Sequence, residues 1–499
     1  HLPILIPLPL LTLSLVLLLL ARWRWWLAFP VVLVAVAAST AAASWELVVV
    51  LQEGTQAYRL GSWAPSIGIE YVVDRLSAFV AVIVTSVSML VIIATRRIAE
   101  REAGDRLGAF YGLVLLLLAG LTGMVVTGDL FNLFVFLEIS SLAAYALVFQ
   151  NGRSAMLAGY QYLILGSIGG SFYLLGVGFL YFTTGTLNMA DTAVALELDA
   201  SARSVQAGAI FIFAGLGLKM ALVPLHLWLP DAYTHAPSSV NSLIAPVMTK
   251  VGAYAMMRMF ISVFPDGYLT NVVPIADALV LLGLIAIVFG AIVAVAQRDI
   301  RRMLAYSSIG QIGLIAVGIG LATPLSFVAA QLHLMNHAVM KATLFLSAAS
   351  VRLSTGLTDI SDLTGMGRRM PGTMAAFTLG AIAMVGIPPT AGFFSKWYLV
   401  QAGVESGQWV VVAVVLASSL LSAVYLFRVL EHIYLRPAQP DSAHAPVVIP
   451  QGGSNDEQAD AGESPADVIA PALLLGAATI VLGILNSWIV INVLDRAGL

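Results

Sequence analysis

The 499-residue chain contains no cysteine. That excludes disulfides, thiolate-held iron–sulfur clusters and thioether-attached haem, and it argues against a redox-active subunit. Charge is nearly as scarce, at 10% of residues, where a soluble domain carries about 25%. A net charge of −3 offers nothing to attract nucleic acid. No Gly-rich phosphate loop ending in Lys-Ser/Thr occurs, which argues against an ATP-driven pump, and no pattern calls for a cofactor or a metal. Lysine is the scarcest charged residue. Of 24 Lys plus Arg, only Lys219, Lys250, Lys341 and Lys396 are lysines, which leaves 20 arginines.

What is present is apolar: 60% of the residues are hydrophobic. Runs long enough to cross a ~30 Å hydrocarbon core fall near 2–20, 26–43, 71–95, 108–127, 130–150, 157–184, 203–228, 238–264, 273–296, 303–321, 325–349, 372–404, 408–430 and 467–494. These predict an all-α polytopic membrane protein of about 14 transmembrane helices. The first run lacks a basic leader and a small-residue cleavage site, so it reads as a retained helix. Arginines gather after alternate runs: Arg22 and Arg24; Arg96, Arg97, Arg101 and Arg106; Arg153; Arg298, Arg301 and Arg302; Arg352, Arg368 and Arg369; Arg428 and Arg436. The other loops hold Arg59 and Arg203, and one is acidic, with Asp191, Glu197 and Asp199. The positive-inside rule then puts both termini on the outer side of a cell membrane.

Two runs carry a break. FIFAGLGLKMALVPLHLWLPD (211–231) holds Lys219, Pro224 and His226, and AIAMVGIPPTAGFFSKW (381–397) holds a Gly-Ile-Pro-Pro break and Lys396. A charged lysine at membrane depth costs about 3 kcal/mol or more on insertion scales. A pair of interrupted spans in corresponding positions is a pointer to a transport site. Spans 4–8 and 9–13 each number five, and an odd number reverses topology. The expected organisation is therefore helices 1–3 (1–107), a first inverted repeat (108–264), a second (273–430), a polar linker (436–467) without chemistry, and a last helix (468–499).

All four lysines lie within apolar runs, while nearly all the arginines lie at run ends or in loops. Arginine stays protonated in proteins, whereas a buried lysine can release its proton near neutral pH. Glu138, inside the fifth run, is the plausible partner for a lysine on a neighbouring helix. A carboxylate favours the ammonium form and desolvation disfavours it. Such a pair is either a proton-affinity switch or a static brace. Lys219 and His226 share a helical face if the break preserves register, and Pro224 frees carbonyls near the lysine. Lys250 lies half-way along the eighth run. His333, His337 and Lys341 are spaced i, i+4, i+8 on the eleventh, so they share a face. That row reads as a proton relay, with a metal site or helix packing as the alternatives. The Gly169–Gly170 pair eases helix packing, and Asp74 caps the third helix or stands at an outer mouth.

The segments TGDLFNLFVFLEISSLAAYAL (127–147), GLGLKMALVPLHLWLPDAYTHAPSSVNSLIAPVMTKVGAYAMMR (215–258), DIRRMLAYSSIGQIG (299–313), HLMNHAVMKATLFL (333–346) and GIPPTAGFFSKW (386–397) closely resemble the antiporter-like subunits of respiratory complex I, membrane-bound hydrogenases and Mrp cation/proton antiporters. GDLFNLFVFLEI resembles most the D-type member of the Mrp antiporters. The resemblance implies a proton path through Glu138, Lys219, Lys250, His337, Lys341 and Lys396, with His333 included on spacing alone. It also implies a hetero-oligomer with a large A-type subunit and small subunits, exchanging protons for Na⁺ or K⁺ across the bilayer under the proton-motive force. The alternatives are a proton-pumping subunit of a redox complex and a scaffold whose charges only brace helices.

Overall fold

In hydrocarbon a backbone N–H or C=O must find its partner within the protein, so apolar runs of this length resolve into helices. The computed structural model describes residues 2–20, 25–65, 67–150, 152–198, 200–436 and 462–494. Its principal helices are α1 (Leu8–Leu20), α2 (Ala28–Glu53), α3 (Arg75–Ala94), α4 (Leu107–Val126), α5 (Leu130–Val148) and α6 (Arg153–Thr184). Next come α7 (Arg203–Lys219), α8 (Trp228–His235), α9 (Ser238–Ser262), α10 (Ile275–Ala296) and α11 (Ile300–Gly320). The series ends with α12 (Pro324–Thr355), α13 (Pro371–Val385), α14 (Ala391–Glu405), α15 (Trp409–Leu430) and α16 (Ala466–Ile484). Arg22, Arg24, Asp199 and 437–461 of the expected linker lie outside the described residues.

Both breaks are real. One helix stops at Lys219 and resumes at Trp228; the other stops at Val385 and resumes at Ala391. Each gap holds a cis X–Pro bond, Val223–Pro224 and Pro388–Pro389. Two boundaries differ from expectation. The second helix continues to Glu53 because Glu46, a residue that reads as an interruption, is buried among apolar neighbours. The third begins later, because Glu70–Val73 forms β2 against β1 (Gln56–Arg59), with Tyr58 opposite Tyr71. Asp74 ends that hairpin and caps α3 in a reciprocal box with Ser77.

Among the described residues ten helices are long and apolar enough to cross a membrane. They match predicted spans 1–6, 9, 10, 13 and 14. The remaining four predicted spans are those that carry the lysines: α7 with α8, α9, α12, and α13 with α14. Breaks shorten two of these, and Ser, Asn, His and Lys lower the hydropathy of the others. They fall short of the apolar pattern because they face protein rather than lipid: α9 and α12 are buried along nearly their whole length. Neighbouring helices touch backbone to backbone. A methyl group on Gly215 would stand 2.6 Å from the Gly169 carbonyl, and one on Gly290 would stand 2.6 Å from the Gly310 nitrogen.

Loop contacts sort onto two ends. At one end Asp74 pairs with Arg258, Gly128 N donates to Glu70 O, and Asn188 Nδ2 donates to Glu70 Oε2. Thr270, Leu321, Ser406 and Gln408 line one groove at that end. At the other end Arg97 pairs with Asp467, Arg302 with Asp231, and Arg428 donates to Val295 O and Gln297 O. Glu102 there accepts from the backbone N–H of Ser238 and Ser239. Two isolated bridges occupy matching places in the chain. Asp129, which caps α5, pairs with Asn188 after α6, and Asp299, which caps α11, pairs with Asp359 after α12.

A buried row of lysines and histidines

The lysines are deep inside. Residue exposure is 6% for Lys219, 1% for Lys250, 0% for Lys341 and 6% for Lys396. An ammonium held there needs oxygen around it, and each has found some. Lys219, the last residue of α7, places Nζ 2.8 Å from Ser141 Oγ, 3.4 Å from the Tyr145 hydroxyl and 3.5 Å from Glu138 Oε1. Those three partners stand at i, i+3 and i+7 along α5 and present one face. The closest contact is to the neutral serine. The carboxylate is at the long edge of hydrogen-bond range, so the ion pair is loosely made.

The sequence expectation at the first break is only half met. The carbonyls of Leu216, Gly217 and Leu218 are taken by the N–H groups of Met220, Leu222 and Ala221, and the Trp228 indole also donates to Leu218 O at 2.9 Å. Lys219 therefore turns away from the break towards α5. His226 does not continue the face of Lys219, because residues 220–227 are not helical; its ring packs edge-on against Phe289, 5.0 Å away. At the second break the freed carbonyls do reach the lysine. Lys396 donates to Met384 O and Val385 O, both at 3.0 Å, and to Ser419 Oγ at 3.2 Å. Gly386, in the left-handed region at φ 89°, makes the turn that points those carbonyls inward.

Between the breaks runs the row on α12. The His333 and His337 rings lie near-parallel with centroids 6.0 Å apart, and His337 is followed one turn later by Lys341. His333 is within electrostatic reach of Lys250 and Lys396, and His337 of Lys250 and Lys341. The fold thus brings together Lys396, His333, Lys250, His337 and Lys341 from α14, α12 and α9. The Lys219 backbone packs against α9 close to Lys250: a methyl on Gly252 would stand 3.2 Å from the Lys219 carbonyl carbon. Lys250 donates to Ala245 O at 2.6 Å and lies 3.4 Å from Thr249 Oγ1. His333 Nδ1 is 2.9 Å from Ser395 Oγ, while His333 Nε2 and both His337 nitrogens have no protein partner. The hydroxyls and imidazoles here can pass a proton on without holding a fixed counter-charge, while the carbonyls only accept. Among the described residues no three His, Asp or Glu side chains gather where they could hold a metal ion.

Sequence reasoning missed the hydroxyls. Ser141 and Tyr145 were legible in principle, at helical spacing from Glu138, but Ser419 and Ser395 have no sequence mark tying them to Lys396 and His333. The glycine pair does more than ease packing. Gly169 does pack against Gly215, but a methyl on Gly170 would collide with the Glu138 carboxylate, and one on Gly166 would collide with the Tyr145 hydroxyl.

The fold and the buried row define an antiporter-like membrane protein. The family profile described as NADH:quinone oxidoreductase/Mrp antiporter, TM matches residues 127–422, and the chain belongs to that family. It is 44% identical to the N-type subunit of the NADH-quinone oxidoreductase of Desulforudis audaxviator, over 100% of this chain and 98% of that protein. It is 33% identical to the D-type subunit of the Na(+)/H(+) antiporter of Alkalihalophilus pseudofirmus, over 77% of this chain and 76% of the relative. A chain in the structure of the Mrp complex from Dietzia sp. DQ12-45-1b superposes with a TM-score of 0.88 at 26% identity, covering 100% of this chain and 96% of that one.

Proposed function

We propose that the chain is the proton-translocating subunit of a multi-subunit Na⁺(K⁺)/H⁺ antiporter, a secondary transporter and not a catalyst, with Glu138, Lys219, Lys250, His333, His337, Lys341 and Lys396 as its proton path. The observation that carries this reading is the set of four ammonium groups in the protein interior. All four rest on carbonyls and hydroxyls, and among the described residues only Lys219 has a carboxylate, at 3.5 Å. A static brace would pair each cation with an anion; these groups are placed to gain and lose protons. In the same proposal fourteen crossings put both termini outside a cell membrane, and spans 4–8 and 9–13 form two inverted repeats. The alternating loop contacts and the two matched bridges support that arrangement.

The partners are other antiporter subunits, a large A-type and several small ones. Glu138 supports this, because its side chain is 24% exposed on a helix that also exposes Phe131 and Leu142; a neighbouring subunit would cover that carboxylate from lipid. The test is transport in everted vesicles carrying the whole complex. Lys219→Ala should abolish cation-driven pH recovery while assembly persists; unchanged recovery removes the proposal. A second reading, a proton-pumping subunit of a redox complex, is favoured by the full-length 44% relative. Co-purification with flavin or iron–sulfur subunits would select it.

A further inference from the structure

Lys341 differs from the rest of the row in where it points. Its Nζ leaves α12 and crosses to α11, 2.7 Å from Leu304 O and 2.6 Å from Ser307 Oγ. Ser307 also lines a small cavity between α10, α11 and α15, together with Gln311, Ser418, Ser422 and Tyr425. The cavity leaves about 10 Å³ for the centre of a water, which is room for about one molecule. Every polar group on its wall is neutral. Gln311 is 3% exposed and its Oε1 has no partner. A buried carbonyl without a partner is destabilising, and a water in the cavity would relieve it.

We infer that this cavity is a water-binding site through which Lys341 is loaded with protons from the end of the molecule where Arg428 lies. The inference rests on the proton path proposed above and adds a branch to it. The geometry supplies the links. The Tyr425 hydroxyl donates to Ser422 Oγ at 3.2 Å, and Ser307 Oγ joins the cavity to Lys341. Hydroxyls and water each give and accept a hydrogen bond. A proton arriving on the water passes to Ser307 Oγ as the serine releases its own proton to the neutral amine. One proton enters, one leaves, and the serine is unchanged. The direction follows from α15: Tyr425 lies one turn before Arg428, which is anchored to Val295 O and Gln297 O at 2.6 Å each. One residue along from Ser418, Ser419 holds Lys396. The same helix thus supplies one wall of the cavity and a partner of Lys396.

The experiment uses the whole complex in liposomes with a pH-sensitive dye, varying pH on the Arg428 side. Gln311→Leu removes the unpaired carbonyl, and Tyr425→Phe removes one oxygen at constant shape. Both should lower transport about ten-fold and flatten its dependence on pH at that side, with the complex assembled. Gln311→Asn, which keeps a carbonyl and leaves more room for water, should retain at least half the rate. If Gln311→Leu does not assemble, Tyr425→Phe decides. Unchanged rate and pH profile in an assembled Tyr425→Phe complex, with Lys341→Ala inactive, overturns the branch alone. Full transport by Lys341→Ala brings down the underlying path and the branch with it.

Discussion

Glu138 occupies space that any residue but glycine at position 170 would fill. Gly166 and Gly170, one turn apart on α6, hollow out the helix where the Tyr145 hydroxyl and the Glu138 carboxylate sit. Gly170→Ala should therefore leave the fold intact, since a flexible carboxylate can move, but it should drive Oε1 away from Lys219. Transport should fall by at least ten-fold, towards the level of Glu138→Gln, with little change in thermal stability. Gly178→Ala on the same helix meets nothing within 4 Å and should transport normally. If both alanine variants transport alike, the Glu138–Lys219 contact has no part in the cycle. At this scale the sequence showed which residues are costly to bury but not what relieves the cost. A lysine in an apolar run is conspicuous, whereas the serine that partners it, such as Ser307 or Ser419, looks like any small helix residue until the helices are packed.

α9 carries Lys250 at its middle and is clamped at both ends by other elements. At its first turn Glu102, from the helix Arg96–Ala103, accepts from Ser238 N and Ser239 N, a capping contact supplied from outside the helix. At its last turns Arg258 pairs with Asp74 through two bonds, 2.6 and 2.9 Å, and holds the Tyr254 hydroxyl at 2.9 Å. Burial alone would raise the Asp74 carboxyl, but the Arg258 guanidinium and the bonds from Ser77 outweigh it and hold the group well below the usual carboxylate range. With the folded value depressed, this stabilisation is fully present above the ordinary aspartate value of ~3.9 and is lost as pH falls below it. Asp74→Asn should lower the melting temperature of the detergent-solubilised protein by a few degrees at pH 7. The underlying loss is about 2 kcal/mol, less than the 3–5 of a fully buried pair because Asp74 is 29% exposed. The gap between variant and wild type should hold constant down to about pH 4 and narrow progressively below it. No gap at pH 7 would mean that Asp74 acts only as a cap, since asparagine caps as well as aspartate. The capping role of Asp74 was legible from its place near the start of an apolar run. Its pairing with Arg258, 184 residues away, was not, since only the packing of α3 on α9 brings the two together.

At the scale of the whole molecule the sequence was most informative, because lipid constrains it most. Apolar runs and the prolines inside two of them anticipated both breaks and nearly every helix. The hairpin at Gln56–Arg59 and Glu70–Val73 escaped, since it lies outside the apolar pattern and its second strand runs straight into α3. The proposed inverted repeat makes a demand that packing alone does not: matched positions must face opposite sides of the membrane. Asp191 and Asp362 each lie three residues beyond a bridged residue, Asn188 and Asp359, in the two halves, and both are exposed. The absence of native cysteine lets single cysteines report without background. In intact cells a membrane-impermeant maleimide should label Asp191→Cys and Arg59→Cys. It should reach Asp362→Cys and Arg97→Cys only after permeabilisation. Labelling of Asp191→Cys and Asp362→Cys from the same side would end the inverted repeat. The proposed proton path through Lys250 and the α12 histidines would then lack openings on opposite sides, and the row could not carry a proton across the membrane.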